Sequence, residues 1–448
     1  MQPVETDLLN IRMIKLAIKP FLIAFIFFNL SLDSYSQRYL SDLDSSLLYI
    51  KDSVRPFLKR FENVQFSGYI QPQFQLADTE GAKSYNGGDF SAFSKSRFML
   101  RRARIKLDYL LTTPDRYPRA LFTFQVDATE RGVNVRDMFM RLYETSGHNF
   151  SLTAGLFARP FGYELNLSSA YRETPERGRM SQILMPTERD LGVMITYDPL
   201  RHEVKNNYVK LDAGIFNGQG LAGTTDFDSR KDIISRITLR PIGSKKILFS
   251  GGLSLLYGGW RQASKYVYEM GTGINGDKIF IVDSSLINIG KNSPRHYYGA
   301  DVQLVIKHAW GQTEWRAEYW MGQQPGTSVS TTNPGTIPLV PTFRRHFDGA
   351  FFYFLQNIIN KQNQLLIKYD WYDPNTKVSS HELGKPGTNL TIADVKFSTL
   401  GVGYAHYFND HIKIILYYDF VKNELTQLPG YTSDQKDNIF TCRLQFRF

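Results

Sequence analysis

The C-terminal segment 438–448 alternates strictly between apolar and polar side chains. Its apolar members are Phe440, Cys442, Leu444, Phe446 and Phe448, with a polar residue between each pair. Period two places one set on each face of a β-strand, whereas a helix would spread both sets around its axis. The segment therefore predicts a strand with one wholly apolar face, which an apolar medium or another part of the protein must cover.

The same alternation recurs along the chain, for example around 102–109, 122–127 and 412–420. Each run has about 9–11 residues, the length of a tilted strand that crosses a membrane. We predict about sixteen strands, near 64–76, 97–111, 119–127, 135–143, 149–157, 188–198, 207–216, 232–241, 246–257, 296–308, 312–322, 345–355, 363–371, 394–407, 411–421 and 436–448. An even number of strands is typical of a single-chain bacterial barrel.

The predicted connections alternate in length. Short links are 112–118, 144–148, 242–245, 309–311 and 408–410, and the long ones between them are 77–96, 158–187, 217–231, 258–295, 323–344, 372–393 and 422–435. Only 128–134 is short where a long link is due. Short turns at one rim and long loops at the other are typical of outer-membrane barrels, whereas a soluble sandwich has no reason to sort its loops by parity. The sequence therefore predicts an all-β fold, a transmembrane antiparallel β-barrel spanning 64–448.

Two segments precede the predicted barrel. Residues 1–36 contain Lys15 and Lys19, an apolar run at 21–28 and small residues at Ser34 and Ser36, the order found in signal peptides. An uncleaved anchor helix is the alternative, but the run is shorter than the ~20 residues that a spanning helix needs. In the segment 37–63, Leu40, Leu43, Leu47, Ile50, Val54, Phe57 and Phe61 follow a heptad pattern. This predicts a short periplasmic helix, either in a trimeric coiled coil or lying alone against the barrel mouth.

Composition narrows the chemistry. The chain has one cysteine, and its eight histidines show no paired-ligand spacing, so we predict no metal and no cofactor. The formal net charge is +10, but the basic residues form no continuous stripe, which argues against nucleic acid as a partner. No Ser/His or Asp/His constellation is recognisable in the sequence, so we predict that the protein is not an enzyme.

Four segments of the chain resemble the phosphate-selective porin O and P family. They are Phe66–Phe74 (FSGYIQPQF), Phe98–Ile105 (FMLRRARI), Gly155–Gly162 (GLFARPFG) and Pro186–Val193 (PTERDLGV). The resemblance implies a sixteen-stranded trimeric barrel in the bacterial outer membrane, in contact with its lipid. It also implies arginines in the pore, and on an inward-folded third loop, that draw anions.

The residues that could carry this function fall into two groups. On the inward faces of predicted strands we expect pore-lining basic residues at Arg102, Arg104, Lys106, Arg141, Arg236 and Arg240. On the predicted constriction loop, 158–187 extended to residue 190, the arginines are Arg159, Arg172, Arg177, Arg179 and Arg189. Five acids balance them in the same segment. Two interpretations stay open, because the arginines can guide anions or can form ion pairs that fix the loop and the wall.

We therefore predict an exported outer-membrane porin that lets small anionic solutes such as phosphate diffuse passively, with a weak anion preference. A porin for other solutes, a plugged binding or adhesion barrel and an outer-membrane enzyme are the alternatives. We expect a homotrimer. We also expect the aromatic C-terminus, Phe448, to be the feature recognised by the barrel-assembly machinery.

Overall fold

The computed structural model describes residues 63–115, 117–199, 207–223 and 225–448. The predicted signal segment, and all of the predicted periplasmic segment except its last residue, lie outside these ranges. Within them, no helix is long and apolar enough to cross a membrane.

Eighteen strands and one short helix make up most of the described chain. The strands are β1 (Val64–Ala77), β2 (Ser96–Thr112), β3 (Pro118–Thr129), β4 (Gly132–Tyr143), β5 (Phe150–Ala158), β6 (Arg189–Tyr197), β7 (Val209–Phe216), β8 (Asp232–Gly243), β9 (Ile247–Arg261), β10 (Val267–Thr272), β11 (Lys278–Asp283), β12 (Asn292–His308), β13 (Gly311–Gly326), β14 (Thr342–Asn357), β15 (Asn363–Asp373), β16 (Phe397–Tyr407), β17 (Ile412–Asn423) and β18 (Ile439–Arg447). The helix is α1 (Arg179–Leu184).

Sixteen of these strands form one closed antiparallel barrel. Each pairs with its neighbour in the chain, β9 pairs with β12, and β18 closes on β1. The remaining two, β10 and β11, form a hairpin inside the connection between β9 and β12. The prediction of a sixteen-stranded transmembrane barrel is confirmed. The interpretation of 258–295 as plain loop was wrong, because the turn Asn275-Gly276, with Gly276 at φ +84°, closes a hairpin there.

The two faces of the wall differ as the period-two pattern requires. On β18 the outward Leu444 and Phe446 are 44% and 43% exposed, whereas the inward Thr441 and Arg443 are at most 1% exposed. A large apolar outer surface of this kind is favourable only against lipid, and closure of the barrel leaves no unpaired strand edge within it.

In the structure, as in the sequence, short and long connections alternate along the chain. One rim carries the turns 113–117, 144–149, 244–246, 309–310, 358–362 and 408–411, and we call it the short-turn rim. The other, the long-loop rim, carries 78–95, 159–188, 217–231, 262–291, 327–341, 374–396 and 424–438. The two-residue turn 130–131 is the exception at the long-loop rim, as predicted.

Two β-bulges change which side chains face the lumen. In β2 the register shifts opposite Gln71 and Pro72, so Arg101 is an extra residue. In β4 it shifts opposite Gln125 and Val126, so Arg136 is an extra residue. A bulge re-aims one side chain, so two consecutive residues can point to the same face. As a result, both Arg101 and Arg136 contact residues inside the barrel.

Candidate functional site

The connection 159–188, between β5 and β6, lies inside the barrel; we call it the lumen loop. Its apolar side chains join inward side chains of the wall in one hydrophobic cluster. The members of this cluster are Phe157, Phe161, Leu165, Met180, Ile183, Leu184, Met185, Met194, Phe216, Ile234, Leu256, Tyr297, Trp320, Phe347 and Tyr372. Phe161 is fully buried, and its ring meets that of Trp320 edge to face at 4.7 Å. The loop is therefore packed against the wall like part of a protein core.

The chain enters the lumen through Gly162, whose φ is +66°. A Cβ at this position would collide with the Glu318 carboxylate. That carboxylate accepts hydrogen bonds from the backbone N–H groups of Tyr163 (3.0 Å) and Glu164 (2.8 Å). Only glycine fits both the left-handed backbone and this close approach to the wall.

Glu176 is the main ionic contact between the lumen loop and the wall. Its carboxylate lies 2.8 Å from Arg101, 2.6 Å from Arg102 and 2.8 Å from Arg443. Burial alone would raise the pKa of Glu176, but the three guanidinium groups together hold that pKa well below its ordinary value. The carboxylate is therefore charged at neutral pH, and three arginines from the two strands β2 and β18 share its single negative charge.

Glu188 forms a second buried junction where the loop rejoins the wall. It lies 2.6 Å from Arg136, 3.5 Å from Arg177 and 3.6 Å from Arg189. Arg189 also contacts Asp137 at 2.9 Å. Burial raises the pKa of Glu188, and the surrounding arginines outweigh that effect and hold it well below the ordinary value. Each β-bulge thus contributes one arginine to a carboxylate of the lumen loop.

Two further acids complete the attachment. Glu173 binds Arg316 through two contacts of 2.8 and 3.0 Å. Glu164 accepts hydrogen bonds from the N–H of Gly178 (2.9 and 3.0 Å) and from the hydroxyl of Tyr353 (2.6 Å). The Glu173–Arg316 contact fixes the loop to β13. Through Glu164, the start of α1 is joined to Tyr353 on β14.

The predicted wall cations are mostly paired with neighbouring acids. Arg104 lies 2.8 Å from Asp127, Lys106 lies 2.7 Å from Asp108, and Arg236 lies 2.6 Å from Asp301. Together with Arg102, which binds Glu176, they form compensated pairs instead of a row of free positive charge.

Arg141 and Arg240 lie apart from the lumen loop. Arg141 is half-buried and donates to the Thr153 hydroxyl at 2.9 Å. Arg240 contacts Asp198 at the short-turn rim. Of the predicted pore-lining residues, Arg102 and Arg104 reach the lumen loop, where Arg104 also donates to the Ser169 hydroxyl at 3.0 Å. Arg141 and Arg240 do not reach it.

The arginines predicted on the constriction loop mostly bind the loop's own backbone. Arg159 donates to the carbonyl of Thr187, and Arg172 donates to that of Leu167 at 3.2 Å. Arg177 donates to the carbonyls of Ser181, Met185 and Pro186. Arg179 lies over the rings of Tyr85 (4.6 Å) and Phe397 (4.0 Å), and Arg189 binds Asp137. The acids Glu173, Glu176 and Glu188 thus bind arginines of the wall, whereas Arg159, Arg172 and Arg177 bind the loop's own backbone.

Sequence reasoning missed Arg101 and Arg136. A signal for the first was present, because the apolar residues Phe98 and Leu100 are even-numbered whereas Ile105 and Leu107 are odd-numbered. Such a change of phase within one strand indicates a bulge.

A small cavity lies beside the lumen loop on its long-loop side. A cavity of about 30 Å³ lies between the loop and the wall, and Arg179, Asp370, Tyr417, Asp419 and Asp437 are among its lining residues. That is room for about two water molecules.

In the described chain, one group of potential metal ligands lies in connections of the long-loop rim, away from the lumen loop. It consists of Asp277, His381 and Glu382. Lys385 lies 2.8 Å from Asp277, and Glu382 accepts a hydrogen bond from the Lys278 N–H at 2.6 Å. These contacts already join the β10–β11 hairpin to the loop 374–396.

The sequence matches no family model and no curated protein. Solved structures do show a likeness in fold, and each of the following covers 86% of this chain. They are OprB of Pseudomonas putida (TM-score 0.54, 8% identity, 94% of that chain), the outer membrane channel DcaP of Acinetobacter baumannii (0.51, 13%, 97%) and OmpF of Salmonella typhi in complex with daunomycin (0.51, 11%, 97%). At these identities the likeness concerns the fold alone. The chain has the barrel fold of outer-membrane porins.

Proposed function

We propose that this protein is an outer-membrane porin in which the lumen loop forms the constriction of a passive diffusion channel. The observation that carries the proposal is a closed sixteen-stranded barrel with one long connection packed inside it. Placement in the outer membrane is supported by the apolar outer face, and the predicted homotrimer is retained as part of the proposal.

The proposed selectivity follows from the charges that stay unpaired. Among the described residues, Arg141, Arg172 and Arg447 make no ion pair. Arg141 and Arg447 lie near the short-turn ends of β4 and β18, and Arg172 lies on the lumen loop. Arg172 has two nitrogens, Nε and Nη1, with no hydrogen-bond partner. Because fixed charges raise the local concentration of counter-ions, we propose a weak anion preference, with phosphate among the solutes.

The experiment is a reversal-potential measurement in planar bilayers under a KCl gradient. The proposal expects chloride to be slightly more permeant than potassium. It expects Arg141→Gln and Arg447→Gln to reduce that preference, and Lys246→Gln, a control in an exposed turn, to leave it unchanged. A cation preference in the parent protein would refute the proposed selectivity.

A plugged barrel is the second candidate, because the lumen loop buries many inward side chains of the wall. Arg102, Arg316, Lys368 and Arg443 are each at most 6% exposed. A plugged barrel would insert into the bilayer without producing conductance steps. The absence of steps from correctly folded protein would therefore favour a binding or adhesion function over a channel.

A further inference from the structure

The inner wall of the barrel between the lumen loop and the short-turn rim, which we call the short-turn vestibule, has its acids matched by bases. Three ion pairs lie within this wall; they are Asp108 with Lys106 (2.7 Å), Asp212 with Lys210 (3.6 Å) and Asp198 with Arg240. Two further acids, Glu314 and Glu173 of the lumen loop, share Arg316 at 2.6 and 2.8 Å. Lys413, which donates to the Arg172 carbonyl at 2.8 Å, supplies a second base there. The described acids of the vestibule thus leave no negative charge in excess.

Three arginines of the vestibule remain without an acid. Among the described residues, Arg119, Arg141 and Arg447 make no ion pair. Arg141 donates to the Thr153 hydroxyl at 2.9 Å, and Arg447 donates to the Asp410 carbonyl at 2.8 Å, so the partners of both are neutral groups. Arg119 is exposed. Because a guanidinium keeps its proton at any physiological pH, these three positive charges stay uncompensated.

All three side chains belong to the inward face of the wall. Arg447 reaches the lumen loop, where its guanidinium lies 4.7 Å from the ring centroid of Tyr171. Arg119 and Arg141 each lie an odd number of residues from the outward apolar side chains of β3 and β4. Since side chains alternate between the two faces of a strand, both arginines point towards the lumen.

Neither the short turns nor the long-loop side of the lumen loop offsets this charge. The described residues of the short turns include three lysines and three acids, namely Lys245, Lys246, Lys361, Asp115, Glu144 and Asp410. On the long-loop side, the cavity beside the lumen loop is lined by four acids and four bases. Uncompensated positive charge is therefore concentrated at one end of the lumen.

We propose that this asymmetry makes the channel rectify, with the larger current when the long-loop side is positive. The inference rests on the proposed channel function. In that polarity anions enter through the cationic vestibule, which concentrates them, and cations enter through the balanced end. In the opposite polarity cations must enter through the vestibule that repels them, and anions enter through the end that does not concentrate them. The lumen therefore holds more mobile ions in the first polarity.

The salt dependence separates this effect from an asymmetry of shape. Fixed charges act over about 10 Å in 0.1 M salt but over only about 3 Å in 1 M salt. Rectification by the vestibule arginines should therefore fade as the salt concentration rises. An asymmetry that came from the shape of the pore would persist.

The test is single-channel recording in planar bilayers at pH 8, where the carboxylates are ionised. All proteins carry Cys442→Ser and Ile274→Cys, and a bulky polymer is attached to the new thiol at the fully exposed tip of the β10–β11 hairpin. Because the polymer cannot cross the bilayer, the long-loop rim stays in the chamber of addition. The test variant is Arg119→Gln/Arg141→Gln/Arg447→Gln. The matched control, Lys245→Gln/Lys246→Gln/Lys361→Gln, removes the same charge from exposed turns of the same rim.

In the parent protein we expect a current at least about 1.5-fold larger with the long-loop side positive in 0.1 M KCl, and nearly equal currents in 1 M KCl. The arginine variant should lose the asymmetry, and the lysine control should keep it. Equal currents in the parent, the opposite polarity, or asymmetry that survives 1 M KCl or the arginine variant would overturn the inference. Equal loss in the control would overturn its assignment to the lumen wall. A folded protein without conductance steps, with folding verified by heat-modifiable migration, would instead refute the proposed function itself.

Discussion

The substitution Glu176→Gln tests whether buried ion pairs hold the lumen loop in place. Glutamine keeps the shape of the side chain but removes the charge that Arg101, Arg102 and Arg443 share. Arg102 and Arg443 are buried, with side chains 7% and 1% exposed. The three guanidinium groups would then repel one another without a compensating carboxylate, and the resulting strain would favour detachment of the loop.

The magnitude can be worked from the burial of these groups. Removing one partner of a buried ion pair costs about 3–5 kcal/mol, because the remaining charge stays desolvated. Since about 1.4 kcal/mol corresponds to a factor of ten, the population of undocked loop should rise about 10²-fold to 10³·⁵-fold. The loop's apolar core opposes full release, so we expect frequent local opening within a barrel that stays folded.

Single-channel recording in planar bilayers measures this directly. We predict larger and noisier conductance in Glu176→Gln than in the parent protein, together with a lower temperature for loss of heat-modifiable migration. Glu80→Gln, which changes an exposed acid in the loop 78–95, is the control and should behave as the parent. If Glu176→Gln matched Glu80→Gln in both conductance noise and thermal stability, the ion-pair account of the loop would be refuted.

Three other predictions concern the same loop. Gly162→Ala should destabilise the docked loop by about 1–2 kcal/mol, because alanine disfavours the left-handed backbone conformation at this position. Collision of the new methyl group with Glu318 adds to that cost, and faster proteolysis within 159–188 would report the effect. Phe161→Ala, at a fully buried position, should cost about 3–5 kcal/mol in thermal or denaturant unfolding, and a cost below 1 kcal/mol would contradict the buried packing. The folded pKa values of Glu176 and Glu188 are depressed, so both acids should stabilise the docked loop fully above about pH 5. This stabilisation should decline once the pH falls below about 4.3, the pKa of an unperturbed glutamate, and be lost as the pH falls through the lower folded values. Channel noise that is flat down to pH 3 would contradict this.

The barrel could be predicted from the sequence because its signals are local. The alternation of apolar and polar residues predicts which side chains face lipid and which face the lumen. The alternation of short and long connections predicts the up-and-down order of the strands. The β10–β11 hairpin was missed because each strand has only six residues and stands outside the long alternating runs. The turn Asn275-Gly276 was the available signal.

The candidate site was harder to predict because its partners are distant in sequence. Glu176 meets arginines 75, 74 and 267 residues away, and no local pattern encodes such contacts. Arg101 was overlooked because a strict alternation assigns it to the outer face, and only the bulge turns it inward. The apolar half of the attachment, centred on Phe161 and Trp320, was also not foreseen, because attention to charge treated the lumen as polar throughout.

The central claim is that the barrel conducts and that the lumen loop narrows it. The most direct measurement is the single-channel conductance of the parent protein beside a variant in which residues 163–185 are replaced by a short Gly-Ser linker, with heat-modifiable migration confirming that both are folded. The account predicts small, defined steps for the parent and steps several times larger for the variant. Equal conductance in the two proteins, or no steps from the folded parent, would contradict it.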